Sequence, residues 1–446
     1  MDIAMDGRIR DAGTTGQPML RRAPRAARAR WGGGSLIPLL ALGWLTGCGA
    51  LDKLLDVDLS GQIETTDAEA PAKAATLVEG GITLFNCALM RHIIWGGAVG
   101  DEVALGSRPD IDSRNLATDA ANATTDSRPC GGDLYRRVAQ ARWQNDRNLQ
   151  LLEGWSDAEV TNRVTLIARA AAYSGYSHLL LAEGFCTAAL DGGPEIQPAD
   201  VFQRTEARFT RAIEAATAAA NTVTLNLARV GRARARLDLA RYADARADGL
   251  LVPAAFVETA KYPANSPGVN ENEVYGQQYV TTAFGIDALY WDLRFAGVPD
   301  PRVRVVSAGR TFGTDNTPFW RATKYTATTS PIELATGTEA LLIVAEADAR
   351  AGSLGPAVAT INQLHTAAGL PSFSSTDQAQ VVTQIMYERR AELFLEGQHL
   401  GDYRRYPLPF NPLPGTPYLN NPGRLWGTSR CYPLPSSERS SNPNIE

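Results

Sequence analysis

The sequence predicts an all-α fold: a tetratricopeptide-like helical superhelix carrying an irregular, loop-rich ligand-binding layer. Three observations predict it. Apolar residues recur at helical spacing in long Ala-, Leu- and Arg-rich blocks, with no strand alternation competing there. A small–large–small spacing occurs twice, at Ala235, Tyr242 and Ala245 and again at Ala347, Leu354 and Ala357. It matches the helix crossing of tetratricopeptide repeats, where small residues let two helices approach and a larger one fills the groove. Between the helical blocks, residues 252–331 turn to Asn, Gly, Pro, Thr and aromatic side chains, the composition of loops.

The helical blocks are Ala68–Arg91, Asp133–Leu152, Asp157–Phe185, Ala199–Asn221 and Thr224–Gly249. Within the quieter stretch, Val303–Val306 and Ala322–Thr326 are the short strands expected. Helices return at Thr338–Ala351, which stops at Gly352. The next opens with Pro356 in its first turn, where a missing N–H costs nothing, and runs to Ala368 before Gly369. One domain over 68–446 is expected, comprising N-terminal repeats (68–251), a loop-rich insertion (252–337) and a C-terminal hairpin with its closing motif (338–446).

The N-terminus reads as an export signal over residues 1–47. A basic stretch, Arg21 to Arg30, precedes a short apolar one, Ser35 to Leu45, and Leu45-Thr46-Gly47 leads into Cys48. The apolar run is too short to span a bilayer, which takes about 20 residues. Cleavage before Cys48 and acylation of that cysteine are expected, as in bacterial lipoproteins, with residues 48–67 as the lipidated tether. Gly49, where an inner-membrane retention signal would have Asp, favours onward sorting, and Met19 is an alternative start. Seven Arg and three Asp precede Cys48, so residues 48–446 carry a net charge of about −9. That acidity excludes a general phosphate-backbone binder, and no nucleic-acid partner is expected.

Cys87, Cys130, Cys186 and Cys431 form an even set in an exported chain, which permits two disulfides in any of three pairings. Catalytic signatures are missing from the sequence: there is no H-E-x-x-H, G-x-S-x-G, phosphate-binding loop, G-x-G-x-x-G or C-x-x-C. Glu396 and His399 have the spacing of one half of a di-iron site, but no second Glu-x-x-His exists. Neither metal nor cofactor is expected, and no catalytic residue is assigned.

The most specific stretch is Glu388-Arg389-Arg390-Ala391-Glu392, continued by Glu396-Gly397-Gln398-His399 and then Asp402-Tyr403-Arg404-Arg405. The chain closes with Tyr432-Pro433-Leu434-Pro435, Glu438 and Asn442-Pro443-Asn444. These motifs resemble the C-terminal hallmark of the SusD/RagB-like nutrient-binding outer-membrane lipoproteins, with His399 in place of the usual Arg. On a helix Glu388, Glu392 and Glu396 share one face beside Arg389 and Arg390. A structural ion-pair cluster with Asp402, Arg404 and Arg405 is therefore expected. Three carboxylates crowded by arginines stay ionised and do not suit glycoside hydrolysis.

The resemblance implies a non-enzymatic protein, lipid-anchored on the outer membrane and facing the cell exterior. Such a protein captures a nutrient, an oligosaccharide first of all, and delivers it to a TonB-dependent barrel of the SusC type. The rival is a tetratricopeptide-type envelope scaffold that binds proteins only. Aromatic residues among amides and carboxylates are the expected ligand contacts: Trp95 with Asp101 and Glu102, and Tyr275, Trp291, Trp320 and Tyr325. Trp95 and Trp320 rank first, and Tyr279, Tyr290 and Phe319 lie in the same stretch. For each ring the alternative is an anchor that pins a loop to the core. Trp143 and Trp155, in helical rhythm, are expected in the core.

Overall fold

The computed structural model describes residues 65–445 except 107–110, 112, 121–129, 131, 265–269, 315, 407 and 419–420. Cys48 and most of the tether lie outside the described residues, and residues 63–446 form one compact unit.

The long helices, in chain order, are α1 (Ala74–Arg91), α2 (Leu134–Gly154), α3 (Arg163–Gly184), α4 (Pro198–Ala218), α5 (Thr222–Asp238) and α6 (Tyr242–Gly249), followed by the short α7 (Glu273–Tyr279). Then come α8 (Gly337–Arg350), α9 (Leu354–Ala368), α10 (Gln378–Glu392) and the short α11 (His399–Arg405). Several of the starts are fixed by side-chain caps. Asp133 accepts from the Arg136 N–H, Asn221 from Thr224, Thr336 from Glu339 and Asp377 from Gln380. Gly369 ends α9 at φ 68°, a left-handed conformation glycine adopts without a Cβ penalty.

Helices α1 to α5 pack in sequence around an apolar centre. The Phe209 ring of α4 sits edge-on to Tyr176 at 4.9 Å, in contact with Gly175 of α3 and Gly231 of α5. Both small–large–small spacings are helix–turn–helix crossings: α5 into α6, and α8 into α9. The two hairpins meet where Ala233, Leu237 and Ala245 pack with Ile343. A buried ion pair, Arg234 to both oxygens of Glu339 at 2.6 and 2.8 Å, joins α5 to α8. The block read as one helix over 224–249 is therefore two. The chain turns at Leu239–Arg241, with Ala240 at φ 55° and no Gly or Pro to mark the break.

The layer between the two helical sets contains short antiparallel pairs. Strand β1 (Val103–Leu105) joins β3 (Phe284–Ile286), β2 (Val257–Ala260) joins β6 (Ile332–Thr336), and β4 (Val305–Phe312) forms a hairpin with β5 (Thr317–Ala322). The strands expected at 303–306 and 322–326 catch only the outer ends of that hairpin. Most of β4 is wet on both faces, so it carries no clean alternation to read. Two disulfides, Cys87–Cys130 and Cys186–Cys431, choose one of the three possible pairings. Trp155 packs on the margin of the core, whereas Trp143 is 50% exposed on the outer face of α2, correcting its assignment to the core.

Candidate functional site

The aromatic layer is built by α7, the segment after β3 and the β4–β5 hairpin. Asn272 caps α7 by accepting from the Tyr275 N–H, and the four-residue spacing then puts Tyr275 and Tyr279 on one face. Their rings stack at 4.8 Å and 11°, and the Arg321 guanidinium lies 4.6 Å above Tyr279. Trp291 is oriented by its indole N–H, which donates to the Ile286 carbonyl at 2.7 Å. It stacks on Trp320 at 4.8 Å and 14°. The Tyr279 hydroxyl and Gln278 side chain bond the backbone of Ala322, tying α7 to β5. Below, Phe312 and Phe319 are buried and fix the hairpin.

Tyr275, Trp291 and Trp320 are thus half-buried, each stacked on another ring. Such planes suit apolar faces of a polar ligand, because they remove water from the ligand without demanding ions. Tyr290 and Phe319 instead pin the layer to the interior. Among the described residues no group of three potential metal ligands is present.

The remaining expected ligand contacts sit deeper. Helix α1 does not end before Trp95; it continues through a π-turn at His92–Gly96 to Val99, which puts Trp95 in the core, 7% exposed. The glycines around it serve close packing, not a loop. A Cβ on Gly96 would lie 3.3 Å from Leu400, and one on Gly100 3.3 Å from His399. Glu102 is buried, with its carboxylate accepting from the Leu395 N–H at 3.0 Å, and the buried Tyr325 hydroxyl donates to the Leu395 carbonyl at 3.0 Å. Asp101 pairs with buried Arg114 and accepts from the Tyr403 hydroxyl at 3.1 Å, though it reaches the wall of a cleft. Placing Trp95, Glu102 and Tyr325 on an open ligand surface is thereby corrected. The polar groups of Glu102 and Tyr325 are committed inside the protein, and Trp95 is part of the core.

Burial pushes Glu102 up to about 7, against the Leu395 N–H, Lys324 and Arg390. Burial likewise raises Asp101 to about 6 despite Arg114. An acid with a raised folded pKa holds its proton longer in the native state, so its contribution to stability is lost as pH climbs from the unfolded value, about 4.3, through the folded one. Buried His92 and His399, both pushed down to about 4, act oppositely, but only below about pH 6.5. Native stability is therefore expected to decline from about pH 6.5 to 8, and Glu102→Gln, which keeps an acceptor for Leu395, to flatten the decline. Denaturant unfolding at several pH values checks this; an unchanged slope in the variant contradicts it.

The charged motif residues form two centres and one cap, not a single row. The helix stops at Glu392, and Leu395 and Gly397 turn the chain at φ 58° and 84°, so Glu396 leaves the face of Glu388 and Glu392. In the first centre, Arg302 from the loop layer reaches Glu388 at 2.6 Å and Glu392 at 2.9 Å, while His365 of α9 meets Glu388 at 2.7 Å. In the second, Asp402 joins Arg389 at 2.8 Å and Arg405, which extends to Glu346 and Asp238. Arg404 caps α3, donating to the carbonyls of Ala182, Glu183 and Phe185 at 2.6 to 3.0 Å. Lys324 holds Glu396, and Arg390 donates to the Leu289 carbonyl above the Tyr290 ring. Arg302, His365 and Lys324 carry no motif of their own, and only their partners marked the site in the sequence.

Comparison with known proteins bears on this architecture. Residues 337–446 match the SusD family model. No curated protein matches the chain. Among solved structures, a SusD superfamily protein from Bacteroides vulgatus is 16% identical at a TM-score of 0.61, covering 84% of this chain and 98% of its own. A SusD-like carbohydrate binding protein from the same species is 18% identical at 0.59, covering 84% and 97%. A SusD superfamily protein from Bacteroides thetaiotaomicron is 15% identical at 0.57, covering 86% and 99%. The fold is the SusD-like helical fold, and the resemblance carried by the C-terminal motifs holds.

Proposed function

We propose that this chain is a nutrient-binding protein of the cell envelope that captures an oligosaccharide on the aromatic layer around Trp291 and Trp320 without breaking a bond. It then passes the ligand to a TonB-dependent outer-membrane barrel of the SusC type. The observation that carries this reading is the stacked, half-buried tryptophan pair on a SusD-like fold, together with the carbohydrate-binding description of one solved neighbour. Tyr275, stacked on Tyr279, is a further half-buried plane of the layer. The motif residues Glu388, Arg389, Arg390, Glu392, Glu396, Asp402, Arg404 and Arg405 hold the helices beneath, and none is assigned a catalytic role. Acylation at Cys48 would keep the protein on the outer membrane, facing outward.

Two experiments test the parts separately. A glycan and peptide array on the chain from Gly49 onward should show selective oligosaccharide binding; no binding to any glycan would favour the protein-scaffold reading. In cells, radiolabelled palmitate should enter the full chain and not Cys48→Ser, and a TonB-dependent barrel should copurify with it. A labelled Cys48→Ser variant would contradict the anchor.

A further inference from the structure

A second recess lies between α10 and the chain that follows α11. It has a volume of about 890 Å³, within the range of small-molecule sites. Val382, Met386 and Tyr387 of α10 form one wall, and Tyr403, Tyr406 and Leu408 the other. Its walls are apolar and aromatic, yet its charges do not balance. The two carboxylates on its lining are already committed, Asp101 to Arg114 and Asp402 to Arg389 and Arg405. His399, also on the lining, stays neutral because burial holds its pKa near 4.

Two guanidiniums remain on the same lining with no ion-pair partner among the described residues: Arg350, at the C-terminal end of α8, and Arg390. Arg350 lies 5.0 Å over the Tyr406 ring and 5.7 Å over Tyr242. Arg390 lies 4.3 Å over Tyr290, donates to the Leu289 carbonyl, and has a buried Nε with no hydrogen-bond partner. Glu102 and Asp287, on which the Arg390 charge acts, are each raised to about 7 by burial. An Arg laid on aromatic rings in place of a carboxylate keeps its donors for an incoming anion. On a chain of net charge −5, two such cations in one apolar cleft point to a ligand of opposite sign.

We propose that this cleft binds a small organic anion with an apolar body, its charge received by Arg350 and Arg390 and its body lying between Met386 and the tyrosines. The site is separate from the Trp291–Trp320 layer and does not rest on the sugar reading.

The test uses two fluorescent probes on the chain from Gly49 onward: anilinonaphthalene sulfonate, an apolar anion, and uncharged phenylnaphthylamine of similar shape. The anion is expected to bind at one site per chain and more tightly than the neutral probe. In Arg350→Gln, at the exposed end of α8, the anion should weaken by about tenfold while the neutral probe is unchanged, as for loss of one charge-assisted contact. Met386→Trp, which fills the cleft, should abolish both, with thermal unfolding confirming that each variant folds. No binding of the anion, equal affinity for the two probes, an unchanged anion affinity in Arg350→Gln, or binding that survives Met386→Trp would each overturn the proposal.

Discussion

Asp402→Ala is expected to lower the unfolding free energy by about 3–5 kcal/mol, because it breaks a buried ion pair from one side only. Asp402 accepts from Arg389 at 2.8 and 2.9 Å and from Arg405 at 2.5 Å, and all three side chains are largely buried. Arg405 would retain Glu346 and Asp238. Among the described residues Arg389, 2% exposed, would lose its one ion pair and retain a 3.4 Å contact with Gln398 and the weaker field of Asp238. Burial alone would push the Asp402 carboxyl up, but Arg389 and Arg405 together hold it below the usual range. Its contribution is therefore present at neutral pH and lost on acidification through the depressed value. Asp402→Asn, which keeps one acceptor, should cost less. Guanidinium unfolding at neutral pH measures both; a loss below about 1 kcal/mol for Asp402→Ala would mean the pair is effectively solvated.

The second large effect is expected from Cys186→Ser with Cys431→Ser. This bridge spans 245 residues and joins the end of α3 to the closing segment. Cross-linking so distant a pair restricts the unfolded chain, and its removal should cost about 2–5 kcal/mol. The closing segment has other ties: Cys186 N–H donates to the Tyr432 carbonyl, Tyr432 N–H to Gly184, and the Tyr432 hydroxyl to Trp95. The variant should therefore fold to the same structure at lower stability, and a reductant should lower the parent further still, because it opens Cys87–Cys130 as well. Peptide mapping without reduction should recover Cys87 with Cys130 and Cys186 with Cys431; any other pairing contradicts the structure.

The C-terminal hairpin was legible because its ends carry chemistry: Gly352 and Gly369 adopt positive φ where the helices stop. The break at Ala240 was not, since an alanine in a left-handed conformation carries no compositional mark. Only the repeated Ala235–Tyr242–Ala245 spacing pointed there. Helical rhythm also left the orientation of α2 undetermined, and Trp143 turned out on the wet side because Arg and Gln residues accompany both faces of that helix. Around Trp95, the glycines serve the close passage of His399 and Leu400. Those contacts join residues some 300 positions apart, which local sequence does not encode. The half-buried planes at Tyr275, Trp291 and Trp320 were identifiable by residue type, whereas the pairing of Trp291 with Trp320 depends on how β3 and the segment after it pack against β5.

The most direct measurement of the central claim is calorimetric titration of the best array oligosaccharide into the parent chain and into a Trp291→Ala, Trp320→Ala variant of matched folding. Capture on the aromatic layer predicts one-site binding that weakens by about thirtyfold or more in the variant, the scale of a binding hot spot. Equal affinity in the two proteins would contradict it and place the sugar elsewhere.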